Sequence, residues 1–226
     1  MQPLYAVYCV LLFTALGMTV LGINLFLPSL RRRRLVAGLA SRTFLRAAGI
    51  PFMVEGLDRL PQSPCVVVAN HASYIDGLVA AAALPPDFAF VIKKEMVRVP
   101  LAGLLLRGLG SQFVERFDRH KGGVDARRVL KLAATGQSLV FFPEGTFNEI
   151  RQIGKFLGGA FATAARSDMP VVAVAIHGTR AVLPTGGVSI HRLPIRVEIL
   201  EVLTAGDARQ RSRELIARAV GEPLAP

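Results

Sequence analysis

The chain has 226 residues, enough for one domain with its own core, and 52% of them are hydrophobic. Its formal charge of +11 calls for an anionic neighbour; with no basic stripe interleaved with aromatics, that neighbour is expected to be a membrane surface and not nucleic acid. Two cysteines, Cys9 and Cys65, are too few for a disulfide framework and sit in apolar runs, as buried small hydrophobes do.

The first element is apolar. Leu4 to Leu27 contains no charged residue, and as a helix it measures about 36 Å at roughly 1.5 Å per residue, against a hydrocarbon core of about 30 Å. A cleavable signal peptide carries positive charge before its apolar stretch. Here Arg31, Arg32, Arg33 and Arg34 come after it, which favours an uncleaved anchor with the rest of the chain on the cytoplasmic face of the membrane. A segment that spans and one that re-enters the same leaflet have the same periodicity. Leu35, Val36, Leu39, Ala40, Phe44 and Ala47 then recur at helical spacing, while Arg34, Ser41, Arg42 and Arg46 fall elsewhere. Such a basic amphipathic helix suits the headgroup layer or the surface of a domain. Gly49-Ile50-Pro51 stops it. Residues 1–48 therefore read as anchor plus interfacial helix, and 49–226 as a single further domain.

Beyond Pro51 short apolar runs alternate with helical patterns, which predicts an α/β domain with a mixed central sheet flanked by helices. Strands are expected at Phe52–Glu55, Cys65–Ala69, Phe88–Ile92, Gln112–Glu115, Leu139–Phe142, Val171–Ile176 and Ile195–Val202. Helices are expected at Ile75–Ala83, Leu101–Leu109, Val124–Ala134, Gly159–Arg166 and Ala208–Val220, with Gly136 ending the third.

Two stretches carry chemistry. Asn70-His71-Ala72-Ser73-Tyr74-Ile75-Asp76-Gly77 follows the β-branched run Val66-Val67-Val68, and the end of a buried strand is where α/β folds place their sites. An imidazole needs a partner that fixes its tautomer and stabilises its charged form. Asp76 can do this for His71 if the histidine ends a loop and the aspartate opens a helix, giving a general base and its orienter. The spacing alone fits equally a capping aspartate beside a structural histidine. No second histidine lies at metal-ligand spacing, and no GxSxG elbow surrounds Ser73, which reads as a helix cap. The second stretch, Phe141-Phe142-Pro143-Glu144-Gly145-Thr146, is another strand running into a Pro/Gly turn. It presents a carboxylate, a hydroxyl and a glycine that lets backbone approach a ligand.

Together these stretches resemble the glycerolipid acyltransferases typified by 1-acyl-glycerol-3-phosphate acyltransferase. The NHxxxxD motif is matched by Asn70, His71 and Asp76, and GxxFVxR by Gly110, Phe113, Val114 and Arg116. FPEGT is matched by Phe142 to Thr146, and a Pro-Val-Val run by Pro170, Val171 and Val172. Glu55-Gly56-Leu57 through Pro64 and the Lys94-Glu95 pair are also family-like. The resemblance covers about residues 50 to 205. It implies that His71 deprotonates an acceptor hydroxyl, oriented by Asp76, for direct attack on the thioester of acyl-CoA or acyl-carrier protein. It further implies that Arg116 binds the acceptor's phosphate, and that Glu144, Gly145, Thr146, Asn70 and Lys94 contribute to substrate binding. No cofactor and no metal are expected, only membrane lipids, a lysophospholipid acceptor and the acyl donor. Phe147-Asn148 stand where the family often has Arg-Ser, and Ala173 where it often has proline. Arg151 or Arg180 would have to replace the missing arginine, although both read more simply as surface residues. Phosphatidate synthesis is the leading expectation. Acylation of lysophosphatidylethanolamine or a lyso-aminolipid follows it, and a membrane-associated hydrolase or a lipid-binding protein ranks lower.

Overall fold

The computed structural model describes residues 2–115, 119–146, 150–186 and 189–226. It opens with two helices, α1 (Gln2–Phe26) and α2 (Leu30–Ala47), separated by a short turn in which the Ser29 side chain accepts the Arg32 N–H and caps α2. By length and composition α1 is able to cross a membrane, but it does not project alone. It runs antiparallel along α2: Tyr5 Oη donates to the Ala48 carbonyl at 2.6 Å and Tyr8 Oη to Ala47 at 3.1 Å. Midway, Phe13 meets Phe44 edge-on at 5.8 Å between ring centres. The outward face of α1 is exposed and apolar, from Leu4 through Leu11 to Phe26.

The arginines of α2 follow the second of the two readings, a helix packed on the surface of the domain. Arg33 Nη1 donates to the Gly108 carbonyl at 3.1 Å and Arg34 Nε to Leu109 at 2.9 Å, at the end of α4 (Ala102–Gly108). Arg42 Nε donates at 2.6 Å to Ala82 in the last turn of α3 (Asp76–Ala83), and Arg31 pairs with Asp87 at 2.9 Å. The reason is general. A helix leaves its last carbonyls without intrahelical donors and concentrates partial negative charge there, so a neighbouring guanidinium is drawn to them. Much of the cationic face therefore ties α2 to α3 and α4.

Seven strands form one sheet among the described residues: β1 (Phe52–Glu55), β2 (Val66–Ala69), β3 (Phe88–Lys93), β4 (Gln112–Val114), β5 (Ser138–Phe141), β6 (Val171–His177) and β7 (Ile195–Leu203). Their order is β1-β7-β6-β2-β5-β3-β4. Strands β4, β3, β5, β2 and β6 are mutually parallel, β7 is antiparallel to β6, and β1 is parallel to β7. The sheet is mixed, as expected. Valine and isoleucine runs suit its centre because both faces are covered. On one face Val67, Val174 and Ile176 pack with Cys9, Phe44, Leu45, Val79 and Ala82. On the other, Val66, Val68 and Val171 pack with the remaining long helices, α5 (Arg119–Ala134), α6 (Gly159–Arg166) and α8 (Ala208–Val220). A four-residue turn of helix, α7 (Thr179–Val182), lies beyond β6. Cys9 and Cys65 are free and buried.

Two elements depart from the sequence reading. Helix α5 begins at Arg119, ahead of the expected Val124; Gly122 and Gly123 weaken it locally by about 1 kcal/mol each, but the Val129–Ala133 face anchors it in the core. The turn α7 was too short to leave a periodic signal. Because five neighbouring strands are parallel, the loops leaving β2, β3, β5 and β6 emerge along one edge of the sheet, and both motif stretches lie on that edge.

The arginine caps make a stability prediction. Arg34→Ala removes a donor from the Leu109 carbonyl, an interaction worth about 1.5–3 kcal/mol, and is expected to lower the thermal midpoint in detergent by several degrees. Arg32→Ala, at an exposed position, is expected to leave the midpoint within about 1 °C, as surface changes do.

Candidate active site

Strand β2 ends at Ala69, and the next residue is held by a side chain that imitates a strand. Asn70 Nδ2 donates to the Ile176 carbonyl at 2.9 Å, and Asn70 Oδ1 accepts the Ile176 N–H at 2.8 Å. With the residue 4% exposed, its amide is committed to β6. The substrate-binding role expected of Asn70 gives way to a positioning one, because both polar groups already have backbone partners.

His71 and Asp76 come together as the spacing anticipates. His71 Nδ1–H donates to Asp76 Oδ2 at 2.8 Å. The same oxygen accepts the N–H groups of Ala72 and Ser73, both at 2.7 Å. Asp76 is fully buried, and three donors on one oxygen are what a desolvated carboxylate requires. They also fix the tautomer: Nδ1 carries the proton, so Nε2 is the basic nitrogen. Ser73 does not cap α3. Its Oγ donates to the Leu183 carbonyl at 2.8 Å, and the side chain that reaches the N–H groups of the turn belongs to Asp76.

The second stretch supports the first from beneath. Phe142, Pro143, Glu144 and Gly145 form a tight turn in which the Gly145 N–H bonds to the Phe142 carbonyl at 3.1 Å. Gly145 has φ +80°, a conformation glycine adopts without strain. Glu144 Oε1 accepts the His71 N–H at 2.8 Å, and Oε2 accepts the Gly154 N–H at 2.7 Å. Burial pushes the Glu144 carboxyl above the usual range, and these two bonds pull the other way, while the nearby Glu222 carboxylate adds to the rise. Glu144 was expected to line a substrate pocket. Its oxygens instead bracket the backbone under His71, because two buried N–H groups need an acceptor there.

Sequence reasoning missed the role of Phe142 beyond its place in the motif. Its ring stacks on the His71 imidazole, 4.6 Å between centres and 27° between planes. Phe142 also borders an apolar cavity of about 240 Å³, lined further by Val91, Val114, Phe141, Leu157 and Ala160. Another missed residue is Asp125 on α5. It is buried, and its Oδ2 accepts the Glu115 N–H at 2.9 Å, fixing the end of β4. Arg116 follows directly and lies outside the described residues, as do Phe147 and Asn148. Thr146 and Lys94 are exposed: Thr146 closes the turn after β5, and Lys94 opens a single helical turn after β3 on the same sheet edge. Arg151 is exposed, whereas Arg180, on α7, is half-buried and pairs with Glu222.

The bracket is testable through stability as well as rate. Asp76→Ala leaves the Ala72 and Ser73 N–H groups without an acceptor, at about 1–3 kcal/mol each, and is expected to lower the thermal midpoint together with turnover. Asp76→Asn, nearly the same in shape, is expected to lose turnover through the wrong imidazole tautomer while keeping most of the stability, as read by thermal unfolding beside the rate.

A family model described as Acyltransferase matches residues 51–177. A chloroplastic 1-acyl-sn-glycerol-3-phosphate acyltransferase of Brassica napus is 34% identical over 139 residues, 61% of this chain and 40% of that protein. A lyso-ornithine lipid O-acyltransferase of Pseudomonas aeruginosa is 33% identical over 141 residues, 61% of this chain and 52% of that one. The chain thus spans less than half of the first relative's length and about half of the second's. The crystal structure of the 1-acyl-sn-glycerophosphate acyltransferase PlsC from Thermotoga maritima shares the fold. Its TM-score is 0.80 over 97% of this chain and 95% of that one, at 23% identity. A family match that begins one residue before β1 and ends on the last residue of β6, taking in the His71–Asp76 pair and the glutamate that braces it, makes this chain a member of the acyltransferase family.

Proposed function

We propose that the protein transfers a fatty acyl group from acyl-CoA or acyl-carrier protein to the free hydroxyl of a lysophospholipid, with 1-acyl-glycerol-3-phosphate as acceptor and phosphatidate as product. The observation that carries the reading is the buried Asp76 carboxylate holding His71 Nδ1–H at 2.8 Å, which leaves Nε2 as a general base at the carboxyl end of the parallel strands. Nε2 takes the proton of the acceptor hydroxyl as its oxygen attacks the thioester carbonyl. The C–S bond then breaks, and the departing thiolate receives that proton from the imidazolium. Asp76 stabilises the imidazolium in between. The apolar cavity behind Phe142 suits the acyl chain, since it lies one ring away from His71. Arg116, two residues after β4 in the sequence, would hold the phosphate with its guanidinium fork, and Lys94 and Thr146 would contribute from the sheet edge.

The exposed apolar face of α1 supports a seat in the membrane, and the charge after it supports a cytoplasmic catalytic face. Because α1 folds back along α2, the hairpin enters from one side. A second acceptor class is supported by the lyso-ornithine relative and by the sequence, which has the uncharged Phe147 after Thr146.

Purified protein in detergent with labelled acyl-CoA, or acyl-carrier protein, is expected to convert lysophosphatidate to phosphatidate. Lysophosphatidylethanolamine, lyso-ornithine lipid and glycerol-3-phosphate are run in parallel. His71→Ala is expected to lower turnover by about 100-fold or more while vesicle binding persists. Full activity in that variant defeats the mechanism. Product from lyso-ornithine lipid alone reassigns the acceptor, and release of free fatty acid without any acylated lipid defeats the transferase reading.

A further inference from the structure

We propose that the corner between β3 and α4 is a second membrane contact, an apolar wedge of Val99, Leu101 and Leu104 that enters an anionic lipid surface beside α1. The inference rests on the reading that α1 lies in lipid, and it extends that surface to the sheet edge that carries His71.

The backbone of the corner is strained. A single helical turn, Lys94–Arg98, follows β3 directly, and the chain turns again at Val99-Pro100-Leu101 before α4 starts. There the Ala102 N–H bonds back to the Pro100 carbonyl at 2.6 Å, closing a γ-turn centred on Leu101 with φ +60° and ψ −49°. Such a turn is rare for any residue, and a bulky side chain makes it an outlier. Gly103 closes the corner from the other side. Its N–H bonds to the Val99 carbonyl at 2.9 Å, and a Cβ there would collide with the Val97 carbonyl.

What the strained turn presents is apolar. Val99, Leu101 and Leu104 are 43%, 48% and 59% exposed. A lone exposed leucine is ordinary, but adjoining ones mark a surface that meets something apolar. Neither backbone preference nor burial in the domain accounts for leucine at position 101, where glycine would take the turn without strain. The flanking charges identify the partner. Between residues 93 and 107 the cations Lys93, Lys94, Arg98 and Arg107 stand against one carboxylate, Glu95. An apolar tip with basic flanks suits an anionic interface, where leucines enter the acyl boundary and cations stay with the headgroups.

The corner also continues the apolar surface of the hairpin. Helix α4 packs on α1, and a Cβ at Gly108 would lie 3.6 Å from Asn24 Nδ2 of α1. Leu104 stands one turn before Gly108 on the same helix face, next to a helix whose outward face is apolar from Leu4 to Phe26. Arg33 and Arg34 tie the end of α4 to α2 as well. Lys94 opens the corner on the edge where His71 and Glu144 meet. Lipid contact there brings that edge to the surface in which an amphiphilic acceptor resides.

The chain has no tryptophan, so a single introduced one reports its own surroundings. Full-length Leu104→Trp, mixed with phosphatidylcholine–phosphatidylglycerol vesicles, is expected to shift its emission to the blue and to be quenched by brominated acyl chains. Leu11→Trp, on the outward face of α1, is expected to behave alike. Val124→Trp, exposed on α5 across the sheet, is expected to do neither. The double variant Leu101→Gly with Leu104→Ser is expected to raise KM for vesicle-embedded lysophosphatidate by about tenfold or more, the loss of two buried leucines. Turnover of a short-chain lysophosphatidate dispersed in water is expected to stay within about twofold. Quenching at Leu11 without quenching at Leu104 overturns the wedge and leaves the α1 seat standing; if neither is quenched, both fall. Equal quenching at Val124 means adsorption without orientation and overturns the inference. A blue emission at Leu104 that needs no vesicles assigns the wedge to a second copy of the chain and overturns it too, as does an equal loss with both acceptors. The fluorescence readout needs no turnover, so it decides even where the acyltransfer reading fails.

Discussion

Asp76 is a carboxylate taken wholly out of water, and the geometry of the active edge follows from meeting its needs. Its Oδ2 gathers the backbone N–H groups of Ala72 and Ser73 and the ring N–H of His71. A buried anion without those donors would cost several kcal/mol or take up a proton, so the loop has little freedom to adopt another shape. The imidazole inherits its tautomer, its tilt and its rigidity from that arrangement. Asn70, Ser73 and Glu144 then pin the same loop to β6, to the segment after α7 and to the turn after β5. The preorganisation that the proposed general base needs is thus distributed over four strand ends and turns, each contributing one or two short bonds.

The stacked ring of Phe142 adds a second kind of constraint. A hydrogen bond at Nδ1 fixes where the ring points but permits rocking about the Cβ–Cγ bond. An aromatic face 4.6 Å away limits that motion and keeps water from one side of the ring. The same phenylalanine also lines an apolar cavity, so one side chain touches both the imidazole and an apolar space.

Much of the fold was legible in the sequence. Strand β1 occupies the expected residues, and the other six strands shift by a residue or so at their ends, because valine and isoleucine runs between Gly/Pro breaks leave little room for another reading. The His71–Asp76 pair was legible for a similar reason, being local and five residues apart. What stayed hidden was long-range. Nothing near Asn70 announces that its amide will complete β6, since the partner lies 106 residues away. Nothing near Glu144 distinguishes a glutamate that touches substrate from one that braces backbone. Arg33, Arg34 and Arg42 read equally as headgroup or as domain ligands because a helix pattern shows which residues share a face, while the helix ends that attract them are set by tertiary packing.

The pairing of β1 with β7 has a consequence for how the chain comes to its final shape. Phe52 pairs in register with Ile195 and Glu55 with Glu198, so β1 is made well before its partner strand. The α1–α2 hairpin, by contrast, closes between near neighbours in the chain, at small entropic cost. During translation the apolar hairpin can therefore be complete while the sheet still lacks its edge, and β1 waits with unpaired backbone groups beside a finished hairpin. Folding of the catalytic body is in this way the later event, completed after the hairpin has formed.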